Sequence, residues 1–240
     1  MKSDSKKRNQ TLKAIWKETW VTGLLILGVL GFRSSVASHY KVPTGSMIPT
    51  ILPGDRFFSN QLAYGLRVPF SELFLLGPDA PTPGDIIVFP SPIEPDIDLV
   101  KRAVAVGGDE MEMRDGELFI NGHSLRTRFI GEEEGYLRFE ERLGDVRYVT
   151  QLDSQAPWIR NFKYVVPEGH FFAMGDNRDH SGDSRVFGPV EYNKLRAKGV
   201  RFFYSLDQEA FFSPRLSRIG APMYNKEDAA PSESVPSTHQ

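Results

Sequence analysis

Beyond Ser38 the chain nowhere sustains a 3.6-residue apolar period long enough for a core-facing helix, and this limits its possible folds more than any other feature. Apolar runs there are short and closed by turn residues, in a sequence of 240 residues with 21 Gly and 17 Pro. The pattern predicts a mainly β fold of antiparallel strands. Strands are expected at Arg56 to Ala63, Asp85 to Pro90, Leu99 to Val106, Glu117 to Ile120, Phe162 to Val166, His170 to Met174 and Gly199 to Tyr204. Asp115-Gly116 and Asn121-Gly122 are hairpin dipeptides flanking the strand Glu117 to Ile120. One short helix is expected at Val190 to Lys198, opened by Pro189 and closed by Gly199. Leu66 to Pro83, with four prolines, reads as a long, partly apolar excursion that packs on the domain or touches a membrane surface.

The amino terminus differs from the rest. Residues 1–18 are polar and basic, with Lys2, Lys6, Lys7, Arg8, Lys13 and Lys17 against Asp4 and Glu18. An apolar run comes next, and Thr19 to Phe32 gives 14 uncharged residues, fewer than the roughly 20 that cross a bilayer. Lys17 and Arg33 can snorkel and Trp16 and Trp20 suit the interface, so Ile15 to Val36 is long enough to span. The expectation is a cytoplasmic segment over 1–18, a transmembrane helix over 19–36, and export of the remainder, since basic residues stay inside. A cleaved secretory signal ending near Ser35-Val36-Ala37 and a buried soluble helix are the rivals; Arg33 weakens the first and the lack of a polar face the second. At the other end, the polar tail over 223–240 is expected to be disordered.

Composition narrows the chemistry. The chain has 40% apolar and 25% charged residues, as in ordinary globular proteins, and a net charge of −2 that offers no basic stripe for nucleic acid. It has no cysteine, which excludes disulfides, thiolate catalysis and thiolate zinc sites. No His pair has metal-ligand spacing and no glycine loop suits a phosphate, so neither metal nor cofactor is implied.

Three stretches carry candidate chemistry. Val42 to Asp55 (VPTGSMIPTILPGD) frames Ser46 with Pro43, Pro49 and Pro53, which fix φ and remove donors, and with Gly45 and Gly54. Such a stiff loop suits presentation of a hydroxyl and neighbouring N–H groups, as a nucleophile with an oxyanion hole requires; it also suits an ordinary surface turn. In the strand Leu99 to Val106, alternation sets Leu99, Lys101, Ala103 and Ala105 on one face and Val100, Arg102, Val104 and Val106 on the other. A lysine among small apolar neighbours loses solvation, and its pKa falls toward the roughly 7–8 that a general base needs; a lysine snorkelling from a sheet edge is the alternative. Met174 to Arg185 (MGDNRDHSGDSR) is a dense polar loop, suited either to orienting a catalytic group or to bonding only itself. Among His39, His123, His170, His180 and His239, only His180, between Asp179 and Ser181, invites a triad. Neighbours on one loop rarely hold that geometry. Lys41 is a rival base, but one expected to be exposed.

Together SMIPTILPGD, GDIIVF at Gly84 to Phe89, VKRAV at Val100 to Val104 followed by GGD, and MGDNRDHSGDSR resemble, in order, the motif boxes of bacterial type I signal peptidases, a serine–lysine dyad family. The resemblance covers most of the chain from Val36 to about Leu206. It implies Ser46 as nucleophile and Lys101 as general base. Thr44 stands where the family often has a serine whose hydroxyl joins the oxyanion hole. Ser181 matches the serine that hydrogen-bonds the catalytic ammonium, and Asp183 with Arg185 a supporting ion pair. Leu99 departs from the aromatic residue many relatives carry.

The resemblance further implies a monomeric endopeptidase held in the bacterial cytoplasmic membrane by one span, acting on the exported side. Its partners are the lipid bilayer and the signal peptides of exported preproteins, cut after small residues at −3 and −1. The implied layout is a catalytic β core of 37–106 and 169–212, with 107–168 as an inserted β region. A soluble self-cleaving serine–lysine protease shares the dyad but lacks the anchor; a non-catalytic envelope scaffold would be expected to have lost a dyad residue. The Ser-x-x-Lys spacing of penicillin-recognising enzymes is absent, because Met47-Ile48-Pro49 comes after Ser46.

Overall fold

The computed structural model describes residues 16–26, 28, 37–68, 71, 73–155, 161–207 and 212–226. In chain order the strands are β1 (Ala37–Lys41), β2 (Asp55–Asn60), β3 (Leu66–Arg67), β4 (Phe74–Leu76), β5 (Ile86–Pro90), β6 (Asp98–Val106), β7 (Glu110–Arg114), β8 (Glu117–Ile120) and β9 (His123–Ser124). They continue with β10 (Arg126–Glu133), β11 (Tyr136–Leu143), β12 (Val146–Asp153), β13 (Phe162–Val165), β14 (His170–Met174), β15 (Val190–Glu191), β16 (Ala197–Asp207), β17 (Ser213–Pro214) and β18 (Asn225–Lys226). Residues 16–26 form helix α1 and Ser184–Phe187 the single-turn helix α2.

The largest sheet is antiparallel, in the order β1-β2-β16-β5-β6-β14-β15, with β17 added to β16. Its middle is dry. Ile86, Ile87, Val88 and Phe89 of β5 have no exposed surface, and Lys101 to Ala105 of β6 are all buried. A central strand covered on both faces reads as a continuous apolar run, and the β-branched and aromatic residues of β5 fit that demand. Residues 107–168 supply two further antiparallel sheets, β13-β7-β8-β9 and β10-β11-β12, the latter extended by β18. The dipeptides Asp115-Gly116 and Asn121-Gly122 take positive φ at both positions, which is the type I′ requirement.

The fold is therefore mainly antiparallel β, as the sequence implies, but three local expectations, at Arg56 to Ala63, at Val190 to Lys198 and in the tail, need correction. The strand begun near Arg56 stops at Asn60, and Gln61–Tyr64 form a 3₁₀ turn capped by the Asn60 side chain. The helix expected at Val190 to Lys198 is absent. Val190 pairs with Phe171, only Tyr192–Lys194 turn as 3₁₀, and Ala197 already starts β16 opposite Val88. Pro189 and Gly199 imitate helix signals, but pairing with β14 and β5 wins. The excursion at Leu66 to Pro83 folds back as the β3–β4 ribbon, and Leu73, Leu75 and Leu76 are exposed. Finally, the tail is ordered further than composition suggests: Met223 is buried, Tyr224 is hydrogen-bonded and Asn225–Lys226 pair with β12. Residues 227–240 lie outside the described residues, as do 1–15, 27 and 29–36 of the basic segment and expected span. Among the described residues no helix is long and apolar enough to cross a membrane.

Candidate active site

Two elements bring the chemistry together. Residues 42–55 leave β1 and return to β2, and the loop is closed at its base by Val42 N–H donating to Asp55 O (3.0 Å) and Gly54 N–H donating to Val42 O (3.0 Å). Opposite it stands β6, whose Lys101 pairs in register with Ile87 of β5. Lys101 Nζ and Ser46 Oγ are 2.6 Å apart, at hydrogen-bonding distance, across 55 residues of sequence. The Lys101 side chain is 3% exposed. Burial pulls its pKa down to about 8, against the opposing pull of the Asp183 and Asp176 charges and with help from Arg185. The chemical content is an amine that loses its proton near neutrality, next to an alcohol.

The polar loop after β14 frames this pair. An extra residue on β6, Val104, shifts its register against β14 between Phe172 and Ala173, just before the loop begins. Asn177 N–H then donates to Ser46 O (3.1 Å) and Asn177 Nδ2 to Gly45 O (3.0 Å), so one residue grips the backbone on both sides of the Gly45–Ser46 peptide. The loop is braced from behind by β12: Gln151 N–H donates to Asp176 O and Arg178 N–H to Gln151 O, both at 3.0 Å. Gly175 leaves no room for a side chain, because a Cβ there would lie 2.4 Å from Ser46 O and 2.3 Å from Ser181 Oγ.

Asp183 is fully buried and caps α2. Its carboxylate accepts from Gly175 N–H (2.9 Å) and, in a fork, from Arg185 Nε and Nη2 (2.8 Å each). Burial alone would raise its pKa; the Arg185 contacts and the Gly175 N–H outweigh this and hold it below the ordinary carboxylate range. Ser181 packs against Gly175, but its buried hydroxyl completes no hydrogen bond to a described residue, so the bond to the lysine nitrogen implied by the resemblance is not formed. Thr44 is exposed, two residues ahead of Ser46. His180 faces Asp153 (3.4 Å) and the Tyr136 ring, and Lys41 is exposed on β1; neither meets Ser46. Leu99 pairs with Phe89 and packs into the apolar cluster beneath.

The residues that sequence reasoning passed over are Arg102, Asp176, Asn177 and Gly175. Arg102 and Asp176, each 1% exposed, form a bidentate ion pair next to Lys101, and Asp176 also accepts from the Thr50 hydroxyl. The available signal was the density of polar residues in the loop following an apolar strand, which marked the segment but not the partners. Among the described residues no cluster of three or more His, Cys, Asp or Glu side chains is arranged for a metal.

The family model described as "Signal peptidase, peptidase S26" matches residues 15–204. The signal peptidase I of Pseudomonas aeruginosa is 36% identical over 209 residues, covering 80% of this chain and 74% of that protein. The signal peptidase I of Aquifex aeolicus is 31% identical over 259 residues, covering 85% and 96% respectively. A crystal structure of a signal peptidase I from Enterococcus faecalis V583 aligns over 50% of this chain and 97% of its own, at 28% identity and a TM-score of 0.37. The matched span holds both the Ser46 loop and β6, and the chain is a serine endopeptidase that belongs to the signal peptidase family, peptidase S26.

Proposed function

We propose that the chain is a membrane-anchored signal peptidase in which Ser46 and Lys101 form the catalytic dyad, removing signal peptides from exported preproteins after small residues at −3 and −1. The observation that carries this reading is the 2.6 Å separation of an amine and a hydroxyl, the amine sealed in a dry strand. Neutral Lys101 takes the Ser46 proton as Oγ attacks the scissile carbonyl carbon. The oxyanion accepts from the Ser46 N–H and the Thr44 hydroxyl. The Lys101 ammonium then protonates the departing amine, leaving an ester on Ser46. Lys101, neutral again, deprotonates a water that hydrolyses the ester. Ser181, its hydroxyl buried and uncommitted against Gly175, orients Lys101 once that residue gains its proton, and Asp183 with Arg185 fixes the loop that carries Ser181. The exposed apolar residues on several sides of α1, Trp16, Trp20, Val21, Leu24, Leu25 and Ile26, support a lipid setting for the start of the 19–36 anchor.

The test is cleavage of a preprotein by the full-length chain in detergent micelles, with the product sequenced from its new amino terminus. Alanines at −3 and −1 are expected to be cut after, and a bulky residue at −1 to block the cut. No processing by the intact chain would overturn the proposal. The pH dependence comes from the depressed lysine. The free enzyme is active only when Lys101 is neutral, so kcat/KM is expected to rise about tenfold per unit as pH climbs toward about 8 and to level off above it. A limb governed instead by a group near the usual lysine value would show that burial does not depress the amine.

Asn177→Ala removes the side-chain hold on Gly45 O while leaving Lys101 untouched. A misplacement of about 1 Å at the reacting atoms costs about 10²-fold, so kcat is expected to fall by up to that factor with KM little changed. A kcat equal to that of the wild type would mean that the loop holds Ser46 without this grip.

A further inference from the structure

We infer that residues 213–226 form a strap that positions the Ser46 loop, with Arg218 as its positioning residue. The inference rests on the dyad reading above and concerns a segment beyond residues 15–204, which the family model matches. The strap is bolted to the large sheet. Gly220 N–H donates to Phe202 O and Phe202 N–H to Ala221 O (2.9 Å each), and Met223 N–H donates to Val200 O (3.2 Å). The Tyr224 hydroxyl donates to Gly199 O (2.6 Å) and accepts from Ile86 N–H (3.0 Å). Met223 is buried in the cluster that also holds Met47 and Ile51 of the Ser46 loop.

From this fixed base Arg218 reaches the loop twice. Its Nε and Nη2 fork onto the carboxylate of Asp55 (3.0 and 2.5 Å), and Nη2 also donates to Thr50 O (2.9 Å). The guanidinium lies over the Phe202 ring, 4.2 Å from its centre, which leaves it little freedom. Asp55 has no exposed surface and in turn accepts from Leu52 N–H (2.8 Å). Arg215 adds a second hold by donating to Pro53 O (3.1 Å). Thr50 is the pivot. It stands four residues after Ser46; its carbonyl is held by Arg218, and its hydroxyl by Asp176, the partner of Arg102 beside Lys101. The strap therefore fixes the far side of the turn that Asn177 fixes on the near side. The fork matters because a point charge cannot bind a carboxylate and a carbonyl in one plane, which a guanidinium does.

Arg218→Lys keeps the charge that Asp55 needs while losing the fork, and Arg218→Gln removes both. The full-length chain and the two variants are titrated with a small serine-directed acylating inhibitor, which counts competent Ser46 and gives the acylation rate constant per site; kcat and KM are then measured with a preprotein. For Arg218→Lys we expect full titration stoichiometry and an unchanged pH limb. The acylation rate constant and kcat should both be about tenfold lower, with KM near that of the wild type, as befits a displaced nucleophile; Arg218→Gln should lose more. Wild-type acylation rates in Arg218→Lys would overturn the inference. So would a reduced titratable fraction with a normal rate per competent site, because the strap would then serve folding alone. If the wild-type chain is neither acylated nor active, the dyad reading fails, and the strap as a positioning device fails with it.

Discussion

Lys101→Met and Ser46→Ala are each expected to leave a folded chain whose kcat for preprotein cleavage is lower by roughly 10⁵–10⁶, the scale on which a serine nucleophile and its base fail when either is removed. The two changes together should cost little more than either alone, because in the proposed dyad one step needs both groups. Stability separates them. The folded state sheds the Lys101 proton near pH 8, whereas an unfolded lysine keeps it to about 10.5. Between those values the unfolded chain binds more protons, so wild-type stability rises with pH there; below about 8 the buried ammonium is carried at full cost. A shift from 10.5 to about 8 corresponds to roughly 3 kcal/mol. Lys101→Met should therefore melt higher than wild type at pH 7, with the gain fading as pH rises toward 10.5, while Ser46→Ala melts near wild type throughout. Substantial cleavage by either variant would refute the dyad, and a Lys101→Met chain that melts lower at pH 7 would show that the site does not strain the amine.

The features legible in the sequence were local, periodic or one-sided. The Asp-Gly and Asn-Gly turns each carry their reason in two residues, and both take the positive φ values this requires. Alternation on β6 put Lys101 in an apolar row, which suffices to argue a depressed amine. Alternation could not show that both faces of β6 are covered, and so Arg102 was left on the opposite face without a partner. Its partner lies 74 residues away, in a loop that offered three aspartates. Pairings of that kind are written in the topology, where β14 lies beside β6 and β12 backs the loop after β14. The expectation at Val190 to Lys198 failed for the converse reason. Its cap residues are sound helix signals, but two strands with open hydrogen bonds flank the segment, and ladder formation overrides propensity. The tail from Met223 was misjudged because composition registers polar residues and not the single Tyr224 hydroxyl that joins Gly199 to Ile86.

The Arg102–Asp176 pair carries the other large expectation. Asp176→Ala removes the carboxylate and leaves a guanidinium 1% exposed, held by Gly84 O (2.8 Å), the Thr50 hydroxyl (3.5 Å) and the face of Tyr148 (3.9 Å) but without the carboxylate that forms its ion pair. Breaking a buried pair from one side costs about 3–5 kcal/mol, which for a chain of this size lowers Tm by on the order of 10 °C. Arg102→Met combined with Asp176→Ala removes both charges and should recover most of that loss, since a buried pair is worth little over a well-packed apolar replacement. Activity should not recover with it. Asp176 also accepts from Thr50, so the double variant should fold and still cleave slowly, while Asp176→Ala, which loses only the carboxylate that keeps the Lys101 pKa from falling further, should show its pH limb displaced to lower pH. Calorimetry and the pH–rate profile read the two effects separately. A double variant as active as wild type would reduce the pair to a structural brace, and an Asp176→Ala chain melting within a degree or two of wild type would show that Arg102 tolerates burial without its counter-charge.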